Sequence, residues 1–327
     1  MALNRAMDSK LRLGVVGAGV FGRYHALKAQ AGPRTACAGV FDPDQPRAAA
    51  VAAEAGGQGF ATLDALVAAS DAVIVASPTR THFAAGMAAL SAGKPVLMEK
   101  PIAATLAEAD ALSALAAERK LVLQVGHLER FSAVRAAIGG IIDRPLFIEA
   151  IRIAPFRPRG TDVSVMLDLM IHDIDLALSL CPAELIGIEA TGAPVIGAEE
   201  EDIGNARLRF ADGCVASITA SRISFKTERK MRIFARDRYV AADFQNRKLF
   251  VVRRTGAGAM DFKMEEQAWE EHDSLEAEHA AFTASVLDGA PVVVDAAAGR
   301  RALDAALRIA ASMAATRADA RAAGLID

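Results

Sequence analysis

The chain has 327 residues, 53% hydrophobic and 24% charged, with a formal net charge of −3. That length accommodates two domains of roughly 150 residues each, and the near-balanced charge excludes the basic footprint of a nucleic-acid-binding protein. The 3 cysteines, Cys37, Cys181 and Cys214, show no C-x-x-C or metal-ligand spacing and fit buried thiols in a reducing compartment. Met1 to Lys10 has no apolar signal-peptide core, and the next apolar stretch is interrupted by Gly14, Gly17 and Gly19. The expectation is a cytoplasmic protein with no membrane partner.

Leu11 to Val16 reads as a short buried strand. It runs into Gly17-Ala18-Gly19-Val20-Phe21-Gly22, where a helical pattern begins near Val20. A G-x-G-x-x-G turn between a strand and a helix is a dinucleotide-phosphate site. The first glycine allows the tight turn, the second admits the pyrophosphate, and the third lets helix and strand pack closely. Strand signals follow at Thr35–Phe41, Ala72–Ala76, Pro95–Met98 and Leu121–Val125. Helical stretches separate them: Asp44–Ala55, Thr62–Ala69, Thr79–Ser91 and one opened by the capping box Thr105-Leu106-Ala107-Glu108. Apolar strands alternating with helices predict a parallel sheet covered on both faces.

Beyond about residue 127 the pattern changes. Phe147–Ile153 reads as a strand and Val163–Leu180 as one helix stopped by Cys181-Pro182. Ala206–Phe210 and Cys214–Ser221 form a hairpin across Asp212-Gly213. Met231–Phe234, Tyr239–Phe244 and Leu249–Arg253 are further strands, and Ser274–Leu287 and Ala296–Ala315 are helices. The fold class is therefore α/β: an N-terminal Rossmann domain over 1–127, and a C-terminal α+β domain over 128–327 with a mostly antiparallel open sheet.

Asp42 closes the second strand about 20 residues beyond Gly22, where a carboxylate binds a ribose diol. With no arginine evident beside it, NAD is favoured over NADP. Ser77-Pro78-Thr79 and His82 follow a buried strand, and Glu99-Lys100-Pro101 follows another, at the sheet edge where ligands of such folds bind. Thr79 and His82 can touch a cofactor or serve as a helix cap and a surface histidine. Lys100 can reach a substrate hydroxyl or stand as a solvated strand end.

On the apolar helix from Met166 to Leu180, the polar residues Asp168, His172, Asp175 and Ser179 fall at i, i+4, i+7 and i+11, one narrow stripe. Buried carboxylates and imidazoles are costly unless paired or facing a polar cleft. His172, oriented by Asp168, is a candidate general base; a structural polar network is the other reading. No third metal ligand accompanies them. Arg152, Arg157 and Arg159 cluster just before this helix and can clamp a diphosphate or lie in solvent.

This ordered set of motifs resembles the Gfo/Idh/MocA family of NAD(P)-dependent sugar oxidoreductases over nearly the whole length. The resemblance implies a Rossmann domain followed by an α/β domain whose open sheet forms the interface of a homodimer or homotetramer. It implies Lys100 and His172 as the catalytic pair with Asp168 supporting His172, and a cis Lys100–Pro101 bond. The cofactor side comprises Gly17, Gly19, Val20, Phe21, Gly22, Asp42, Ser77, Pro78, Thr79, His82, Glu99 and Lys100. Gly126-His127-Leu128-Glu129-Arg130-Phe131, the Ala154–Asp162 loop and Leu167–Asp175 look more narrowly like a bacterial subgroup that includes the UDP-N-acetylglucosamine 3-dehydrogenases of diamino-sugar lipid A synthesis. That likeness adds Arg130, Arg157 and Arg159 to Lys100, Asp168 and His172 on the substrate side. It implies oxidation at C3 and a sugar aminotransferase as the next enzyme. His127 and Met170 depart from the aromatic and the glycine or alanine common in the family. Two other functions stay open: a dehydrogenase of a free sugar or inositol, and a non-catalytic NAD-binding sensor.

Overall fold

The computed structural model describes residues 10–156, 164–196, 200–269 and 272–324. In chain order the first elements are β1 (Leu11–Val16), α1 (Val20–Ala31), β2 (Thr35–Phe41), α2 (Gln45–Glu54), β3 (Gln58–Phe60), α3 (Leu63–Ala69), β4 (Ala72–Val75), α4 (His82–Ser91), β5 (Val96–Glu99), α5 (Leu106–Arg119) and β6 (Leu123–Gly126). They are followed by α6 (Ala133–Ile141), β7 (Pro145–Ile153), α7 (Ile171–Leu180), β8 (Leu185–Ala193), β9 (Ile203–Phe210), β10 (Val215–Ser221), β11 (Glu228–Ala235), β12 (Arg238–Asp243), β13 (Lys248–Arg254), β14 (Phe262–Ala268), α8 (Ser274–Asp288) and α9 (Ala296–Ala322).

Two compact units result. One comprises the residues up to Phe131 together with Asp273–Leu303, the other Ser132–His272 together with the residues from Asp304 on. Residues 273–303, which sequence order alone assigns to the second domain, thus fold with the first. The reason is packing: Phe282 of α8 is fully buried in the same core as Leu13, Val15, Ala26 and Ala29, and the Val125 N–H donates to the Val294 carbonyl at 2.9 Å.

In the first unit, six parallel strands lie in the order β3-β2-β1-β4-β5-β6. The order reverses between β1 and β4, so the loops after those strands flank the crevice where such sheets bind ligands. β4 is buried along its whole length, as a strand covered on both faces must be. Local chemistry sets the helix starts. Thr62 caps α3, Asp44 caps α2, and Thr105 and Glu108 form the expected reciprocal capping box on α5.

The second unit holds an eight-stranded sheet in the order β14-β13-β12-β11-β7-β10-β9-β8. Its pairs are antiparallel except β7 with β10, which run parallel. β9 alternates exposed and buried along its length, and Cys214, Ala216, Ile218 and Ala220 are all buried, as their shared face requires. The expected single helix over 163–180 is two pieces: Met166–Met170 winds as a π-helical turn, and α7 starts at Ile171. Among the described residues, no helix is long and apolar enough to cross a membrane.

Candidate active site

The glycine loop leaves β1 at Val16 and enters α1 at Val20. Gly17 has φ +101°, in the left-handed region, and a Cβ there would stand 2.6 Å from the Ala76 carbonyl oxygen. A Cβ on Gly22 would fall 2.0 Å from the Gly17 carbonyl oxygen, so α1 can lie against the loop only with glycine here. A Cβ on Gly19 would meet nothing within 4 Å. Gly19 is the N-cap of α1 and offers no side-chain cap. The first-turn N–H groups and the open side of Gly19 therefore fit an anionic pyrophosphate. Val20 and Phe21 are exposed beside this opening.

Asp42 is nearly buried and accepts from the Ala18 N–H at 2.8 Å and from the Asp44 N–H at 2.9 Å. The Arg47 guanidinium donates to its Oδ1 at 2.8 Å. Burial alone would raise the Asp42 pKa; these donors outweigh it and hold the carboxyl below its ordinary range. An arginine thus does stand beside Asp42, against the sequence expectation. Its position was hidden because Arg47 is on the first turn of α2, which folds back over the strand end. Asp42, Arg47, Ser77, Pro78, Arg80 and Thr81 are among the residues lining a cleft of about 540 Å³ at this edge of the sheet.

After β4, the Ser77 hydroxyl pairs with that of Thr81 at 2.7 Å, and Pro78 precedes a short 3₁₀ turn, Thr79–Thr81. His82 is 1% exposed. Its Nε2 lies 2.8 Å from the Ser77 carbonyl oxygen and its Nδ1 2.9 Å from that of Pro101. It is therefore a strut between two loops rather than a surface histidine. Burial lowers its pKa, against the pull of those carbonyls.

Lys100 is half-buried, and the Lys100–Pro101 bond is cis, as the resemblance implied. Glu99 turns inward: its Oε1 lies 2.9 Å from His25 Nε2, and its Oε2 accepts from the Lys100 N–H at 3.1 Å. His25 Nδ1 in turn lies 2.9 Å from His279 Nε2. Glu278 completes this buried group. One ring nitrogen of His25 and one carboxylate oxygen each of Glu99 and Glu278 lie within 4.8 Å of one another. Neither carboxylate oxygen of Glu278 has a hydrogen-bond partner among the described residues. Burial first, then the charge of Glu99, pushes its pKa well above the ordinary value. Burial holds His279 well below its ordinary value. The sequence offered no signal for this set, since its members come from α1, β5 and α8.

In the second unit, Asp168 stands in the π-helical turn and His172 in the first turn of α7; both are half-buried. Asp175 is buried, and the Ser179 hydroxyl donates to the Leu176 carbonyl at 2.7 Å while accepting from Arg135. The lower end of the stripe is thus structural. Arg152 is not a substrate clamp: it is 4% exposed and its guanidinium grips Asp173, with Nε–Oδ2 2.7 Å and Nη2–Oδ1 3.2 Å. Arg157 and Arg159 lie outside the described residues. Arg130 sits in the short 3₁₀ turn Leu128–Phe131 of the first unit.

Comparison with known proteins identifies the family. Residues 11–127 match the model of the oxidoreductase family with an NAD-binding Rossmann fold, and residues 151–240 match the GFO/IDH/MocA C-terminal domain. UDP-N-acetylglucosamine 3-dehydrogenase of Acidithiobacillus ferrooxidans is 41% identical over 304 residues, 91% of this chain and 96% of that protein. Its crystal structure matches with a TM-score of 0.88 at 40% identity, covering 94% of this chain and 98% of that one. Inositol 2-dehydrogenase 1 of Saccharopolyspora erythraea is 37% identical over 191 residues, 54% of this chain and 56% of that protein. Levoglucosan dehydrogenase, in complex with NADH and levoglucosan, shares the fold with a TM-score of 0.84 at 19% identity. The chain belongs to the Gfo/Idh/MocA family of NAD-binding oxidoreductases.

Proposed function

We propose that this enzyme oxidises the C3 hydroxyl of UDP-N-acetylglucosamine with NAD. The observation that carries this substrate is the full-length similarity to a UDP-N-acetylglucosamine 3-dehydrogenase, where the inositol 2-dehydrogenase from Saccharopolyspora matches little more than half the chain. Gly17, Gly19, Val20, Phe21 and Gly22 receive the pyrophosphate, and Asp42 takes the adenosine ribose diol. Ser77, Pro78, Thr79, His82 and Glu99 shape the rest of the cofactor side. Bound NAD supplies the hydride acceptor. His172, charge-tuned by Asp168, removes the proton of the reacting hydroxyl, and Lys100 hydrogen-bonds the same oxygen. Arg130, Arg157 and Arg159 take the diphosphate. The ketone product suits a cytoplasmic sugar aminotransferase supplying diamino-sugar lipid A, and the enzyme works as a homodimer or homotetramer. A mere NAD sensor would have no use for Lys100, Asp168 and His172 together.

The test is NADH formation from a panel of UDP-sugars, free sugars and inositol. Turnover of UDP-N-acetylglucosamine is expected, with His172→Ala and Lys100→Ala each lowering kcat by about 10²–10⁴-fold. Turnover of free inositol or glucose, with none of the UDP-sugar, would reject the substrate.

A further inference from the structure

Cys181 and Cys214 are 33 residues apart in the chain and meet inside the second unit. Cys181 ends α7, its N–H donating to the Ala177 carbonyl at 2.9 Å. Cys214 follows the exposed turn 211–213 and leads into β10. The turn holds it in place: the Phe210 N–H donates to the Cys214 carbonyl at 2.9 Å, and the Cys214 N–H to Asp212 Oδ1 at 3.1 Å. The two side chains are 0% and 2% exposed. Neither belongs to a disulfide, yet their sulfurs are 2.9 Å apart. The remaining gap to a disulfide bond is about 0.9 Å.

We infer that Cys181 and Cys214 form an oxidation site: a small-molecule disulfide converts the pair into an intramolecular disulfide that fastens the end of α7, the helix bearing His172, to the start of β10. Cys214 is the attacking group. Its contact with the Cys181 sulfur lowers its pKa, against burial, which raises it. Opening of the adjacent turn admits the oxidant. The Cys214 thiolate attacks one sulfur of the small disulfide, whose S–S bond breaks and releases one thiolate. The Cys181 thiolate then attacks the Cys214 sulfur of this mixed disulfide and releases the second. In sum, two protein thiols lose two electrons and two protons, and the oxidant gains them as two thiols. Cys37 is an internal control: it belongs to the first unit, and burial pushes its pKa up to about 11.

The experiment treats the whole chain at pH 8 with oxidised glutathione or with dithiothreitol, then denatures, alkylates and maps peptides without reduction. The expected oxidised product is lighter by about 2 Da when weighed intact before alkylation, carries one cross-link joining the Cys181 and Cys214 peptides, and keeps Cys37 alkylated. Its melting temperature rises by several degrees, and the rise is absent in Cys214→Ser. If that variant does not fold, the wild-type peptide map decides alone. Three alkylated cysteines after oxidation, or a glutathione adduct that persists on either thiol, would overturn the inference. None of this depends on which sugar is oxidised.

Discussion

Gly19, the N-cap of α1, and Gly22, in its first turn, sit three residues apart, yet they act for different reasons, and substitution separates them. The Gly22 position faces the Gly17 carbonyl oxygen at 2.0 Å from where a Cβ would be, whereas the Gly19 position faces open space. Gly22→Ala should therefore lower both the melting temperature and NAD affinity, while Gly19→Ala leaves melting unchanged and weakens NAD by about tenfold or more, because only the bound pyrophosphate meets the new methyl. Calorimetric titration and a thermal melt on each variant check this. Asp42 and Arg47 define a second contrast. Asp42→Ser removes the carboxylate that faces a ribose diol and releases Arg47 from its 2.8 Å bond. The ratio of kcat/KM for NADP to that for NAD should rise by roughly tenfold or more, since a freed guanidinium suits a 2′-phosphate. An unchanged ratio in steady-state kinetics would remove Asp42 and Arg47 from cofactor selection.

At the scale of elements, the stretch from Met166 to Leu180 joins one π-helical turn to one α-helix. Its i, i+4, i+7 spacing was legible as a stripe, but it assumed 3.6 residues per turn, and Asp168 stands in the wider turn. Such turns cluster at functional sites, and no residue type announces one. The same helix explains where Arg152 belongs. Asp173, on the flank of the stripe, is 2% exposed and fully engaged by that arginine. Arg152→Met leaves a buried carboxylate without its counter-ion and should cost about 3–5 kcal/mol, while adding Asp173→Leu should restore most of the loss. Urea unfolding of the single and double variants measures both. A single variant as stable as the wild type would show that the pair contributes little.

For the whole molecule, the buried group of His25, Glu99, Glu278 and His279 sets how stability depends on pH. His279 has a lowered folded pKa, so its contribution is present above the ordinary histidine value of 6.5 and is lost as pH falls below it. Glu278 has a raised folded pKa, so its contribution is present below the ordinary value of 4.5 and declines as pH rises above it. Glu278→Gln, which fixes the neutral form, should therefore raise the melting temperature at pH 8 and lose that advantage as pH approaches 4.5. A variant destabilised more at pH 8 than at pH 5 would mean that Glu278 is ionised in the native protein.

The first sheet was readable because its strands are continuous apolar runs and its caps use Thr, Asp and Glu at fixed offsets. β3, only Gln58–Phe60, has no run to read, and β14 is exposed along its whole length and so shows no alternation. The parallel pairing of β7 with β10, and the packing of α8 with the first unit, are choices made by long-range burial. Of the candidate site, Gly17, Gly19, Gly22 and Asp42 were legible because each meets a local backbone or charge requirement. Arg47, Glu278 and the Cys181–Cys214 contact were not, since each depends on residues brought together only by folding.

In the proposed reaction, hydride leaves C3 of the sugar for the nicotinamide. Supplying UDP-N-acetylglucosamine deuterated at C3, with NAD, tests it most directly: the deuterium should appear on C4 of the nicotinamide, with a slowed turnover and a 3-keto product in the NMR spectrum. NADH formed without deuterium, or deuterium retained on the sugar, would contradict it.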